Sequence, residues 1–316
     1  MKLLLTGSSG WLGRFRAPQL RGAGHEVVGL DIAPGADTQV VGSVADKALV
    51  SDLVADGVEA ILHSGALHKP DIARYPKQAF IDTNVTGTLN LLEAAARNGH
   101  DRFIFTSTTS LMVSERVRAD ASEQAFWMDE RFYDGPPRNI YGVTKQAVEG
   151  LCRLFASEHA MDIAILRTGR FFPEDDDTDR TLSGENMKAN EFLNRRLSAV
   201  DAARAHVVAL ERIGGCGCET FVLSAPPPFS REDAAELAID ARAVIARRFP
   251  DADDLYAARD WQLPATISRV YDPSKAEDLL GFRCETSFAS VLGALRDGLD
   301  LPFDHDPAYL PPKEFA

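Results

Sequence analysis

The sequence predicts a doubly wound α/β fold, a parallel sheet of about seven strands with a smaller mixed domain built from the C-terminal half. Three observations carry that expectation. Leu3 to Thr6, apolar or strand-favouring, run into glycines at Gly7, Gly10 and Gly13, and a helical pattern starts at Trp11. An acid, Asp31, closes a second apolar run about 20 residues after the glycine turn. Strand and helix patterns alternate as far as Arg167, implying right-handed crossovers and a Rossmann-type sheet.

The glycine turn answers a need for close approach. A dinucleotide's pyrophosphate must touch backbone N–H groups at a helix N-terminus, where side chains would hold it off. The spacing, G-x-x-G-x-x-G, is one residue wider at its first interval than the general fingerprint. Candidate cofactor contacts here are Gly7, Gly10, Trp11, Leu12 and Gly13. Asp31 ends the run His25 to Leu30, placed to accept from ribose hydroxyls and to repel a 2′-phosphate. No Arg or Lys lies between Ile32 and Gln39, so NAD is favoured over NADP. The simpler alternative, an Asp that only starts the turn Ala33-Pro34-Gly35, is outweighed by the glycines ahead of it.

Thr38 to Val41 reads as a third strand, followed by Ser43 and Val44 where an adenine edge could be met. A helix is expected over Asp46–Ala55 and a fourth strand over Glu59–His63, ending in the small residues Ser64, Gly65 and Ala66, across which a cofactor can lie flat. His63 and His68 flank that turn as structural residues, and no metal site is assigned. One long helix is expected over Gln78–Asn98 with Asn84 inside it, either solvated or holding backbone near the site. Arg102–Thr106 is a fifth strand that delivers the hydroxyls Thr106 to Ser110 to the sheet's carboxyl edge. Asn139–His159 is an amphipathic helix carrying Tyr141 and Lys145 on one face, a spacing common on any helix. Met161–Arg167 is a sixth strand. The acidic run Glu174 to Asp179 reads as a solvated loop rather than a cation site. Leu182 to Leu197 reads as a substrate-facing segment containing Asn186. Then follow a helix Ala199–Arg212, a seventh strand Glu219–Ser224, a helix Arg231–Arg248, a short strand Thr266–Val270, helices Pro273–Leu280 and Phe288–Gly298, and a proline-bearing tail. The expected domains are 1–168 with 198–224, and 169–197 with 225–316.

Composition sets the class. The 316 residues are 45% hydrophobic and 26% charged, as in an ordinary globular chain, and the net charge of −13 argues against nucleic acid or anionic membrane as partners. No apolar run approaches a membrane span, and a cytoplasmic location is expected. Cys152, Cys216, Cys218 and Cys284 form no two-pair metal pattern and are read as free thiols.

The hydroxyls and the lysine suggest chemistry. A Tyr that moves a proton at neutral pH needs its pKa of about 10 brought down. Lys145, with a bound oxidised nicotinamide, would favour the phenolate. Thr108 would orient the substrate oxygen. Tyr141 would take a proton from a C–OH as hydride leaves the same carbon; return of hydride from the opposite face gives an epimer, release of product gives net oxidation.

Seven stretches together resemble the extended short-chain dehydrogenase/reductase family, the NAD-dependent sugar epimerases and dehydratases. They are TGSSGWLG (Thr6–Gly13), GHEVVGLD (Gly24–Asp31), ILHSGA (Ile61–Ala66), NVTGTLNLLEAA (Asn84–Ala95), FIFTSTTS (Phe103–Ser110), YGVTK (Tyr141–Lys145) and YDPSKAEDLLGF (Tyr271–Phe282). The resemblance implies a catalytic Thr108, Tyr141 and Lys145, and a cofactor wrapped by the glycine turn, Asp31 and Ser43. It also implies a helix-packed homodimer. Val44, Ser64, Gly65, Ala66, Asn84 and Thr106, with Tyr141 and Lys145, are further candidate cofactor contacts, and Thr109, Arg170 and Asn186 are candidate substrate contacts.

Two departures bear on the reaction. Dehydratases of the family carry Asp-Glu directly after the catalytic Thr, whereas Thr109 and Ser110 stand here, so elimination is disfavoured. Nucleotide-sugar enzymes commonly grip the diphosphate with Arg-x-Gly-Asp before Asp-x-Ser-Lys; this chain has Trp261-Gln262-Leu263-Pro264. Arg170, Lys188, Arg195, Arg196 and Arg269 are possible substitutes. The leading expectation is an NAD-dependent epimerase of a sugar, in particular a nucleotide sugar. The alternatives are a dehydrogenase of a free sugar or sugar acid, and a non-catalytic NAD-binding protein.

Overall fold

The computed structural model describes residues 1–119, 122–173 and 182–305; the acidic run 174–179 and the tail from 306 lie outside the described residues. Seven parallel strands form the main sheet: β1 (Lys2–Thr6), β2 (Glu26–Asp31), β3 (Val40–Val41), β4 (Ala60–His63), β5 (Arg102–Thr108), and then β7 (Asp162–Thr168) and β8 (Cys218–Leu223). Between β5 and β7 in the chain comes β6 (Phe126–Met128), which leaves the sheet to pair in parallel with β9 (Arg269–Tyr271). The order across the main sheet is β3-β2-β1-β4-β5-β7-β8. It reverses between β1 and β4, the switch point outside whose carboxyl ends ligands bind in open α/β sheets.

Side-chain alternation explains both layers of helices. Leu3 and Leu5 of β1 face one way, joining Leu62, Ile104 and Leu166 against the helices Trp11–Gly22 and Ala199–Arg212. Leu4 faces the other way with Ile61, Phe103 and Ile163, beneath the helices Lys47–Ala55, Gly87–Arg97 and Ile140–His159. A separate apolar core, including Phe192, Leu237, Ile245, Tyr256 and Phe288, packs the elements of the C-terminal half.

The first helix docks tightly on its own entry turn. A Cβ at Gly13 would land on the carbonyl oxygens of Gly7 and Ser8, which are backbone and cannot swing aside. Gly13→Ala is therefore expected to cost about 1–3 kcal/mol in urea denaturation; an unchanged midpoint would show that the turn yields freely.

Several elements differ from expectation. The helix expected over 78–98 is three pieces: Lys77–Phe80, a π-helical turn Ile81–Thr86 and Gly87–Arg97. The wide turn accompanies a buried Asn84 whose amide is committed to neighbouring backbone, and Thr88 Oγ donates to the Asn84 carbonyl at 2.6 Å. The helix expected over 231–248 breaks before Ala241–Arg248, which Asp240 caps by accepting from the Ala243 amide. The third strand shrinks to two residues, and the strand expected over 266–270 shifts to 269–271 to pair with β6, an element whose pattern is too short to be seen in the sequence. No helix among the described residues is long and apolar enough to cross a membrane. All four cysteines are free thiols.

Candidate functional site

A cavity of about 740 Å³ runs along the carboxyl ends of the strands, a size usual for a small-molecule site. Its floor is the switch point. Gly7 takes a positive φ of 72°, and a Cβ there would press on Ser64 Oγ and the Gly65 amide, so β1 and β4 approach only because the side chain is missing. Gly10 caps the helix that Trp11 opens, and Gly10, Trp11 and Leu12 line the cavity.

At the end of β2, Asp31 lines the cavity while accepting from the Ser9 amide at 3.0 Å and the Ala33 amide at 3.1 Å. Each bond uses a different carboxylate oxygen, so the group is fixed in orientation and remains an acceptor at each. Ser43 and Val44 follow, Ser43 Oγ accepting from the Ala45 amide and Asn90 holding the Val44 carbonyl. With Ser64, Gly65 and Ala66, this is a cradle of small residues and backbone, and no lysine or arginine stands among the lining residues from Leu30 to Val44. Such a cradle fits a dinucleotide with a free ribose diol.

Beyond the cradle stand the hydroxyls. Thr108 ends β5, accepts from the Ser110 amide at 3.1 Å and hydrogen-bonds the Tyr141 hydroxyl. Asn139 caps the helix Ile140–His159 by accepting from the Gly142 amide, which sets Tyr141 in its first turn and Lys145 one turn on. Lys145 donates to the Thr106 carbonyl at 2.7 Å, with its ammonium 4.6 Å from the Phe105 ring centroid. Thr106, Thr108, Tyr141 and Lys145 all line the cavity.

Burial sets the charges of this pair. It pushes the Tyr141 hydroxyl up to about 12, against the pull of Thr108, and draws the Lys145 ammonium down to about 7. Loss of water is the largest influence on the phenol, and the Asp71 carboxylate pushes it the same way.

Besides Lys188 and Arg196, three candidates from the sequence do not line the cavity. Gly13 packs beneath the turn. Asn84 spends its amide on the Leu67 backbone, accepting at 2.8 Å and donating at 3.0 Å, and donates to Thr144, whose hydroxyl bonds the Tyr141 carbonyl. It holds the wall rather than meeting a ligand. Asn186 is 1% exposed and clamps the Gln262 backbone through both amide atoms. The segment 182–197 is accordingly an interior support, with Arg195 its one cavity-lining residue among those described.

Thr109 and Arg170 do line the cavity, joined by Arg195 and Arg269, whereas Lys188 and Arg196 stand behind it. Glu191, buried beneath, lies 3.5 Å from Arg170, 3.0 Å from Arg195 and 2.8 Å from Arg196. His68, Phe172 and Tyr271 also line the cavity, none of them singled out from the sequence as a ligand contact. The His68 ring lies 6.0 Å from that of Tyr141 and 5.8 Å from that of Phe172. Only the fold brings these rings together. By contrast His63 is buried between Thr6 and Thr88, both ring nitrogens hydrogen-bonded, and burial holds it neutral.

The chain is similar to several known proteins. The uronate dehydrogenase of Pseudomonas putida is 27% identical over 183 residues, 55% of this chain and 62% of that protein's length. The dTDP-glucose 4,6-dehydratase of Streptomyces niveus is 28% identical over 326 residues, 92% of this chain and 90% of that one. Among solved structures, UDP-glucose 4-epimerase from Thermotoga maritima superposes with a TM-score of 0.66 at 19% identity, covering 95% of this chain and all of that one, a likeness of fold. The family model described as NAD dependent epimerase/dehydratase matches residues 3–215. With the glycine turn, Asp31 and the Tyr141–Lys145 helix ranged along one cavity inside that span, the chain belongs to the NAD-dependent epimerase/dehydratase family.

Proposed function

We propose that the protein oxidises a hydroxyl-bearing carbon of a small anionic sugar, a sugar acid being the class that fits best. The observation that carries this is the make-up of the cavity. Arg170, Arg195 and Arg269 line the same cavity as Tyr141, yet among the described residues beyond 196 only Arg269 and Tyr271 reach it. A carboxylate suits guanidinium forks, while a nucleotide would call on a larger share of the C-terminal half. The partial likeness to uronate dehydrogenases supports the same reading.

NAD, when bound, supplies the hydride acceptor and a positive charge. Gly7, Gly10 and the first turn of the helix Trp11–Gly22 would hold its phosphates, and Asp31 its adenosine ribose. Tyr141 would accept the substrate's hydroxyl proton, with Thr108 donating to the same oxygen. Lys145, seated on the Thr106 carbonyl, would keep the phenolate form within reach as its own charge is restored.

The test is a panel of hexuronates, free sugars and UDP-sugars assayed for net NADH. Accumulation with a hexuronate supports the proposal. Interconversion of a UDP-sugar without net NADH would establish the second reading, a nucleotide-sugar epimerase, which is favoured by full-length structural likeness to UDP-sugar epimerases. Cofactor choice is tested separately. Asp31→Asn keeps oxygen and nitrogen at the turn but removes the charge, so the NADP-to-NAD affinity ratio should rise by roughly tenfold. An unchanged ratio would remove Asp31 from cofactor selection.

A further inference from the structure

The helix Trp11–Gly22 buries a stripe of Leu12, Arg16 and Leu20 against the sheet. An aliphatic side chain would suit the middle position, yet Arg16 is there with no exposed surface. One terminal nitrogen donates to Ser64 Oγ at 2.7 Å and to the Thr6 carbonyl at 3.3 Å. Nε and the other terminal nitrogen have no hydrogen-bond partner, and no carboxylate pairs with the guanidinium among the described residues. Two other buried arginines are paired with carboxylates: Arg167 with Glu149 and Arg196 with Glu191. A buried cation without an anion is unfavourable unless something else balances it.

The position of the charge indicates what that is. Ser64 Oγ, which receives the guanidinium's hydrogen bond, is also the atom that a Cβ on Gly7 would strike. Arg16 is thus one hydroxyl away from the glycine turn, on the side opposite the cavity. The neighbouring histidines, His63 and His206, are both pushed toward the neutral form, with Arg16 contributing to each. They add no negative charge to offset it.

We propose that Arg16 is a positioning residue for the cofactor's pyrophosphate: a buried counter-cation beneath the glycine turn, whose charge the dinucleotide's phosphates balance. This rests on the dinucleotide reading of the cavity. It assigns Arg16 no contact with ligand, only a field acting through the turn at short range in a poorly solvated interior.

Calorimetric titration of the full chain with NAD, ADP and adenosine tests it, using wild type, Arg16→Met and Arg16→Lys. Arg16→Met should weaken NAD and ADP by roughly 10- to 50-fold and leave adenosine within about twofold, while Arg16→Lys should retain most of the ADP affinity. Equal losses for adenosine and ADP would mean that Arg16 only shapes the turn, and would overturn the proposal. So would ADP binding to Arg16→Met as tightly as to wild type. Should Arg16→Met fail to fold, Arg16→Lys decides: selective retention of ADP upholds the electrostatic role, and parallel loss of ADP and adenosine refutes it. If wild type itself binds neither NAD nor ADP, the dinucleotide reading falls and takes this one with it.

Discussion

Tyr141→Phe is expected to lower turnover by roughly 10²- to 10⁴-fold while leaving NAD affinity and fold essentially intact. The substitution removes one oxygen and no packing. Tyr141 is a buried neighbour of Leu67 and Phe80, and its ring meets His68, contacts that a phenyl ring keeps. Its main-chain carbonyl still accepts from Thr144 at 2.9 Å, so the helix start is unaltered. Thr108 loses its phenolic partner but continues to accept from the Ser110 amide. What disappears is the phenol hydroxyl that Thr108 hydrogen-bonds in the cavity. Since burial holds that hydroxyl at about 12 without cofactor, it is a reluctant acid until positive charge arrives, which suits a group meant to gain and lose a proton only in the loaded site. Steady-state kinetics with fluorescence titration of NAD separates the two effects. Turnover equal to wild type would remove Tyr141 from the chemistry; lost NAD binding would mark it as a cofactor anchor instead.

Much of this site is legible in the chain because local rules and global fold agree there. Gly7 and Gly13 stand where close backbone approach forbids a Cβ, and Asp31 ends a strand whose apolar run is plain, so spacing alone places both at one edge of the sheet. Tyr141 and Lys145 share a face for the simple reason that they are four apart on a helix. The remainder depends on partners distant in sequence. Asn186 resembles a ligand contact until Gln262, 76 residues on, occupies both of its amide atoms. Asn84 is equally plausible as a solvated or a site residue, and only the π-helical turn shows it holding Leu67. The β6–β9 pair joins two runs of three residues, too short to carry a period. A charge such as Arg16 within an aliphatic stripe is visible in the sequence, but its lack of a carboxylate is a tertiary fact.

The same distinction bears on Glu191, whose replacement by Gln should cost about 3–5 kcal/mol of stability and weaken binding of an anionic substrate. The carboxylate is 2% exposed and carries three guanidiniums, those of Arg170, Arg195 and Arg196. Burial alone would raise its pKa; the pull of Arg170, then Arg195 and Arg196, prevails and brings it down to about 2. A carboxyl depressed below its unfolded value of about 4.3 stabilises the fold fully above that pH, and the contribution is lost as pH falls through about 2. Wild type should therefore lose stability between about pH 4 and 2 through this group, and Glu191→Gln should flatten that limb while lowering the neutral-pH plateau. Gln keeps the shape and can accept from Arg196, but removes the buried negative charge that Arg170, Arg195 and the 1%-exposed Arg196 share. Because Arg170 and Arg195 line the cavity, their release should appear in KM for an anionic sugar more than in kcat. Urea denaturation across pH, with Glu285→Gln as an exposed control at the Arg204 pair, measures the first effect. A loss no greater than the control's would show that the three arginines find solvent or backbone instead, and that Glu191 does not hold the anion-binding wall in place.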